Sequence, residues 1–430
     1  MSTPSSDAVD RIVGQLQSTG RGYYALAGVT TAALLWFLFV VWTFVTQGHA
    51  VTNLGDWGTR GGVPWGLDIA AFNWWAALGV GAVTVAAAIT LFRPGEYEPY
   101  ARIGALLGPF AFLVGFLHVL FDLGRPDRVF ITVLKHPLSS PIIWDIVILG
   151  GLGTLATAYV VVDVREDLAP LRERGALPSV LGPVYDAVLF RYDPESGVED
   201  RVTLGLAAVI LVYGPLTAGG AVPLFLSASG RRFDWFGAIQ GPSFVLGGLA
   251  TGAAAVALIA ATLRHAYGWA DVFDDSTLAG LGAAAAAAAA GYLLLVLFNV
   301  QSGTFGPIFA DADAGTAAMT GALAPLFWIA VLSILGATAS FTVQRVRGRA
   351  NAVATAGTAA LLLVGVFLSE LWTVVGGQLY SELMYTTGQY VPSWTELSNV
   401  LGTVAVVTFV FLIAVKAMPI VPLDVLESEP

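Results

Sequence analysis

Seven polar and ionisable side chains are brought by spacing to one end of three consecutive apolar segments: Asp68, Asn73, His118, Asp122, Arg125, His136 and Asp145. His118 and Asp122 stand four residues apart, so on a helix they share a face. The carboxylate can then fix the imidazole tautomer and raise its basicity. Gly124 and Pro126, on either side of Arg125, end that helix. His136 lies in the connection that follows. Ser139-Ser140-Pro141 opens the next helix, with a serine cap and proline at the first helical position, and Asp145 falls in its opening turns. The preceding helix enters through Pro64-Trp65-Gly66-Leu67-Asp68, and Asn73 lies about 7 Å deeper. A later helix adds Tyr213, followed by Gly214 and Pro215 at mid-depth or slightly outward. A proline there frees a backbone carbonyl and loosens the helix.

Carboxylates, an imidazole, a phenol and an amide at a membrane edge suit a lipid-soluble carrier that exchanges protons when it exchanges electrons. A quinone head group needs hydrogen-bond donors to its carbonyl oxygens and a proton path to water. Each residue also has a purely structural reading. Asp68 is then an interface residue, His118 a satisfied core histidine, and Arg125 a snorkelling or capping cation. Asp145 is a first-turn acid, His136 a loop residue, Tyr213 a packing residue and Glu370 a water-facing acid. His49 and His265 sit at helix ends, and Trp65, Trp235 and Trp372 are placed in the interfacial belt. Ionisable groups inside a bilayer are costly and mark function.

The elements that position these groups follow from composition. By length, 430 residues make two or three soluble domains. Yet 56% of residues are hydrophobic and 12% charged, against about 25% charged in a soluble domain. The fold class is therefore all-α: a polytopic membrane protein, since lipid satisfies no backbone groups. Ten segments are long and apolar enough to span: 23–46, 67–92, 103–123, 141–163, 203–228, 243–263, 277–300, 318–343, 352–375 and 398–418. With the polar segment 1–22 and the tail 419–430 cytoplasmic, 14 Lys and Arg fall inside and six outside. Three of those six (Arg125, Arg128, Lys135) occupy the loop after the third helix. No cleavable signal is expected, because the first apolar run is too long for a signal core. The loop 164–202 mixes five Arg with eight Asp and Glu and reads as a solvated linker. The chain has no cysteine and four histidines, which excludes disulfides, thiolate zinc sites and iron–sulfur clusters and leaves little for haem. Net charge is −10, which argues against a nucleic-acid partner. Scarce Lys, abundant Asp and much Ala, Val and Gly are the composition of a salt-adapted organism.

The chain also resembles itself. PIIWDIVI (141–148) aligns with PLFWIAVL (325–332), VLFD (119–122) with VLFN (296–299), and GAVTVAAAITLFR (81–93) with GAAAVALIAATLR (252–264). Each pairing is four helices apart, so the repeat is parallel. It divides the chain into a four-helix unit over 67–228, carrying the site, and a second over 243–375, with the helices 23–46 and 398–418 flanking them. Where the first copy has His118, Asp122 and Asp145, the second has Leu295, Asn299 and Ile329.

HVLFDLGRPDR (118–128) followed by HPLSSPIIWD (136–145) resembles the helix–loop–helix hallmark of the polysulfide-reductase membrane-subunit family, also called NrfD-like. WGLDIAAFNWWAALGVGA (65–82), LVYGPLTAG (211–219) and PSFVLGGLATGAAAV (242–256) resemble its other core helices. The likeness extends over helices 2 to 9. It implies an integral membrane-anchor subunit of a multi-subunit respiratory oxidoreductase. Such a subunit holds a menaquinone-type quinone at the outer face and has no metal, haem or cluster of its own. A ferredoxin-like iron–sulfur subunit docks there and connects to a molybdopterin catalytic subunit. The resemblance places Asn73, His118, Asp122, Arg125 and Tyr213 in the quinone pocket, with His136 and Asp145 in the same motif region. In quinol oxidation Asp122 and His118 are expected to accept protons, Arg125 to orient Asp122 or steady a semiquinone, and Tyr213 to donate to the ring's other carbonyl. The competing reading is a secondary transporter with intramembrane carboxylates. A di-haem cytochrome b is disfavoured by the shortage of helical histidine.

Overall fold

The computed structural model describes residues 6–55, 63–93, 95–135, 137–228, 234–235, 237–306, 315–317, 319–321, 323–379 and 390–427. No strand occurs among them. Apolar runs of 20 or more residues become long helices because, without water, each backbone N–H must bond within its own segment. In chain order the helices are α1 (Ser6–Gln17), α2 (Arg21–Gln47), α3 (Leu67–Phe92), α4 (Glu98–Asp122), α5 (Val129–Lys135), α6 (Pro141–Asp163), α7 (Arg165–Glu173) and α8 (Gly182–Val188). Then come α9 (Val198–Tyr213), α10 (Gly219–Ala228), α11 (Gln240–Tyr267), α12 (Asp275–Thr304), α13 (Ala324–Arg347), α14 (Ala352–Leu379), α15 (Trp394–Ala417) and α16 (Leu423–Glu427). Nine helices among the described residues are long and apolar enough to cross a membrane. The remaining expected span, 203–228, is interrupted: α9 and α10 are joined by a π-helical turn, Gly214–Ala218. Pro215 lies in that turn, where a missing N–H forbids a regular ladder. In the span expected from 318, residues 319–320 are helical and the long helix α13 runs from Ala324.

Helices α3, α4, α6 and α9 close a four-membered ring, each packed on the next, and α11, α12, α13 and α14 close another. The rings meet where α3 crosses α11. Glycine permits that crossing: a Cβ on Gly81 would collide with the Gly248 carbonyl, and one on Gly252 with the Gly81 and Ala82 backbone. Close backbone approach through small residues is how helices associate in lipid, where burial of apolar surface supplies no drive. α3 is consequently the most enclosed helix, with nearly all its residues from Leu67 to Ala87 buried.

α2 and α15 pack on each other and on the outer side of α4. Phe37 of α2 lies over Gly402 of α15, and Phe37 and Phe44 meet Phe121 edge-on. At the opposite end, the apolar face of α1 (Ala8, Val9, Ile12, Leu16) is buried. Lys416 Nζ donates to the Gln15 and Ser18 carbonyls at 2.5 and 2.6 Å. The 164–202 connection is an ordered layer there rather than a solvated linker. Arg102 of α4 is bonded to Asp163 at 2.6 Å and to Asp167, and Asp167 Oδ1 accepts from Leu423 N at 2.9 Å. Beside them, Glu166 is pushed up to about 7 by burial and by its acidic neighbours Asp200 and Asp167.

Candidate functional site

At the other end of the bundle three helices converge on one imidazole. His118, on α4, has no exposed surface. Its Nδ1 lies 2.8 Å from Asp68 Oδ1 on α3, and its Nε2 lies 2.9 Å from Thr403 Oγ1 on α15. Asn399, one helical turn before Thr403, donates its amide to both Asp68 oxygens at 3.3 Å. Asp68, Asn399 and Thr403 are all buried. The expected partnership of His118 with Asp122 is therefore replaced. Asp68, on the neighbouring helix, takes the Nδ1 contact and so orients the imidazole. Asp122 remains in the cluster, near the carboxylates of Asp68 and Glu396, and its buried Oδ1 has no hydrogen-bond partner among the described residues. Three carboxyl groups and one imidazole thus gather in a volume with little access to water.

Local structure at the chain entrances holds these helices in register. Ser393 caps α15 in a reciprocal capping box with Glu396. Glu396 also accepts from the Tyr390 hydroxyl, and that hydroxyl accepts from Leu67 N at 2.7 Å, which caps α3 just before Asp68. Burial and the adjacent Glu396 push the Tyr390 phenol up. Gly124 ends α4 at φ +63, and the His49 ring occupies the space a Cβ would need there. Ser140 stands at the α6 N-cap as expected, but its hydroxyl makes no capping bond.

Asn73 points elsewhere. Five residues beyond Asp68, it is rotated about 140° around α3, away from the histidine. It bonds Glu370 of α14 and lines a narrow polar cavity with Asp234, Gln240, Ser243, Tyr292, Asn299 and Thr373. The Tyr292 hydroxyl lies 2.9 Å from Ser369 Oγ and 3.3 Å from Glu370 Oε1, and donates to one of them at a time. Asp234 accepts from Asn299, from Thr373 at 2.7 Å and from Gln240 at 3.3 Å. Burial raises the Asp234 carboxyl to about 6. Its φ of 67 is a left-handed conformation that aspartate tolerates better than most residues. Glu370, expected to face water, is instead half-buried within this network.

The other expected site residues are dispersed. Arg125 is exposed and pairs with Asp127 at 2.9 Å, away from Asp122, because the chain turns outward after Gly124. That neighbour holds the Asp127 carboxyl below its usual range. His136 lies outside the described residues. Asp145 is buried on α6, with both oxygens unpartnered among the described residues. Tyr213 directs its hydroxyl at Gly151 of α6, immediately before the π turn. Trp235 and Trp372 are buried rather than in the belt, and Trp65 stacks on Phe225 and Trp235 at 4.8 and 5.4 Å. Sequence spacing misses Asn399, Thr403 and Glu396, because their helix reads as peripheral. Their signal is a polar stripe at i, i+3 and i+7 in an otherwise apolar segment.

Comparison with known proteins agrees with this architecture. Residues 56–382 match the family model described as polysulphide reductase, NrfD. A putative membrane subunit of a dimethyl sulfoxide reductase from Halobacterium salinarum is 28% identical over 242 residues, 56% of this chain and 51% of the relative. A selenate reductase subunit of Mesobacillus selenatarsenatis is 23% identical over 378 residues, 83% of this chain and 86% of that relative. The chain thus spans about half the length of the first relative and most of the second. With three quarters of its residues inside the family match, the chain belongs to the NrfD polysulphide reductase family.

Proposed function

We propose that this chain is the membrane-anchor subunit of a respiratory oxidoreductase, exchanging electrons and protons between a menaquinone-type quinone and an iron–sulfur partner. The observation that carries this reading is the buried Asp68–His118 pair at 2.8 Å, with the unpartnered oxygen of Asp122 beside it. Such a group holds protons without a fixed counter-cation, as a carrier site demands. A quinol supplies two electrons and two protons for each molecule oxidised. The residues fit its head group, because Asp122 Oδ1 is a buried acceptor with no hydrogen-bond partner among the described residues. Asp122 takes a proton first, and Asp68 with His118 stores it away from water.

The electrons leave the chain. A sequence without cysteine and with four histidines has no thiolate to bind a cluster and few haem ligands. The relatives named as reductase subunits support partner subunits, which this reading takes to be a ferredoxin-like iron–sulfur protein and, beyond it, a molybdopterin protein. The exposed Arg125, with Arg128 and Lys135, gives an acidic partner a surface to dock on; Arg231 and Arg232 lie outside the described residues. Both termini belong at the cytoplasmic surface, opposite the site. Affinity purification of the tagged chain from its native membrane tests the assignment. Recovery of an iron–sulfur protein and a molybdopterin protein is expected, and recovery of the chain alone with no redox partner would contradict it.

The break between α9 and α10 is a feature shared with secondary transporters. Solute counterflow by the purified chain in vesicles would favour that reading; none is expected.

A further inference from the structure

The helix that completes the histidine site lies outside the family match. α15 begins at Trp394, beyond residue 382, yet it supplies both Thr403 and Asn399. Every polar contact His118 makes to α15 runs through one hydroxyl, and that hydroxyl has one proton. Thr403 Oγ1 lies 2.9 Å from the Val400 carbonyl and 2.9 Å from His118 Nε2. It can donate to only one of them at a time.

Two proton counts follow. If Thr403 donates to Nε2, that nitrogen is unprotonated. The imidazole proton is then on Nδ1 and faces an Asp68 carboxylate, which Asn399 supports from its other side. The pair holds one proton. If Thr403 turns to the Val400 carbonyl, Nε2 must itself donate to Oγ1. Nδ1 and Asp68 share a further proton, and the pair holds two. Rotation of one hydroxyl thus accommodates the gain or loss of one proton, with every buried polar atom of the imidazole satisfied in both states. The Asn399 amide, an obligate donor to Asp68, acts in the opposite sense by favouring the carboxylate.

We propose that Thr403 and Asn399 are positioning residues that set the proton occupancy of the Asp68–His118 pair, Thr403 favouring the two-proton state and Asn399 the one-proton state. This rests on the quinol-site reading above, and the other titratable groups facing the pair, Asp122 of α4 and Glu396 of α15, are unchanged in every variant below. The last helix is then part of the proton-handling machinery.

The test is quinol-dependent turnover of the intact complex in native membranes as a function of pH. Thr403→Val leaves Nε2 without a partner in both states, and the loss is greater in the two-proton state, where the stranded N–H carries the positive charge of the imidazole, by about 1–3 kcal/mol or roughly 5- to 150-fold. Loading then requires more acid, and the pH profile moves to lower pH. Asn399→Ala removes the donor to the carboxylate, so the profile moves to higher pH. Thr403→Ser, which keeps the hydroxyl, restores the wild-type profile and guards against a packing effect. Opposite displacements support the proposal. Unmoved profiles, or both displaced the same way, overturn it. His118→Gln separates the levels. If that variant loses turnover while the α15 variants keep wild-type profiles, only this inference fails. If His118→Gln turns over quinol normally, the quinol-site reading fails with it.

Discussion

Asp68 Oδ1 and His118 Nδ1 lie 2.8 Å apart with neither side chain open to solvent, although fifty residues and a helix reversal separate them in sequence. The contact fixes the rotation of α3 relative to α4. It also explains why Asn73, on the far side of α3, serves a different network with Glu370 and Tyr292. One central helix therefore carries two polar faces, one turned to the flanking helix α15 and the other to the second four-helix ring.

The α3–α11 crossing depends on glycine at the contact. Gly81→Val places three carbons where the Gly248 carbonyl now sits, which forces the helices apart. Overpacking of this kind costs about 1–3 kcal/mol or more, and a bundle organised about α3 cannot yield elsewhere. Loss of a monodisperse peak in size-exclusion chromatography is expected. Gly357→Ala, at a position with open space around it, is expected to be neutral or mildly stabilising by helix propensity. Equal effects from both would show that the crossing is not close.

Asp234 gives a pH signature outside the spans. Burial raises its carboxyl to about 6, above an unfolded value of 3.8, so the folded protein binds the extra proton. Its stabilising contribution is complete below about pH 4, falls through pH 6 and is lost above it. The difference corresponds to about 3 kcal/mol. The melting temperature of wild type minus that of Asp234→Asn should therefore fall as pH rises from about 4 through 6 and level off above it. A difference that moves in favour of wild type as pH rises would contradict the assignment.

Arg102 is held between Asp163 and Asp167 with almost no exposure. Arg102→Met leaves two acids without their cation, a change expected to destabilise by about 3–5 kcal/mol. Yield of folded protein measures it, and an undiminished yield would mean that the triad is dispensable.

Much of this architecture is legible in the sequence. Long apolar runs and small-residue motifs announce helices because lipid leaves the backbone no alternative, and Pro215 signals the loosened turn after Tyr213. Side-chain partnership is harder. The i, i+4 spacing of His118 and Asp122 is a local relation, whereas the choice of Asp68 depends on how α3 is rotated, which packing at Gly81 and Gly252 decides. Arg125 departs from its expected place because the path after Gly124 follows a left-handed glycine that sequence spacing does not orient. Thr403 and Asn399 escape a reading by repeats because α15 has no counterpart inside the repeat. Depth alone assigns Glu370 to water, although its helix face turns towards Tyr292.

If the buried acid–imidazole group receives protons from a quinol, Asp122 is the first acceptor. Asp122→Asn in the purified complex tests this most directly, with turnover measured from a quinol analogue and, separately, from an artificial donor that feeds the catalytic subunit. The expected result is an assembled complex that keeps donor-driven activity and loses quinol-driven turnover by about 10²- to 10⁴-fold, the range for a removed proton acceptor. Quinol-driven turnover at the wild-type rate would contradict it.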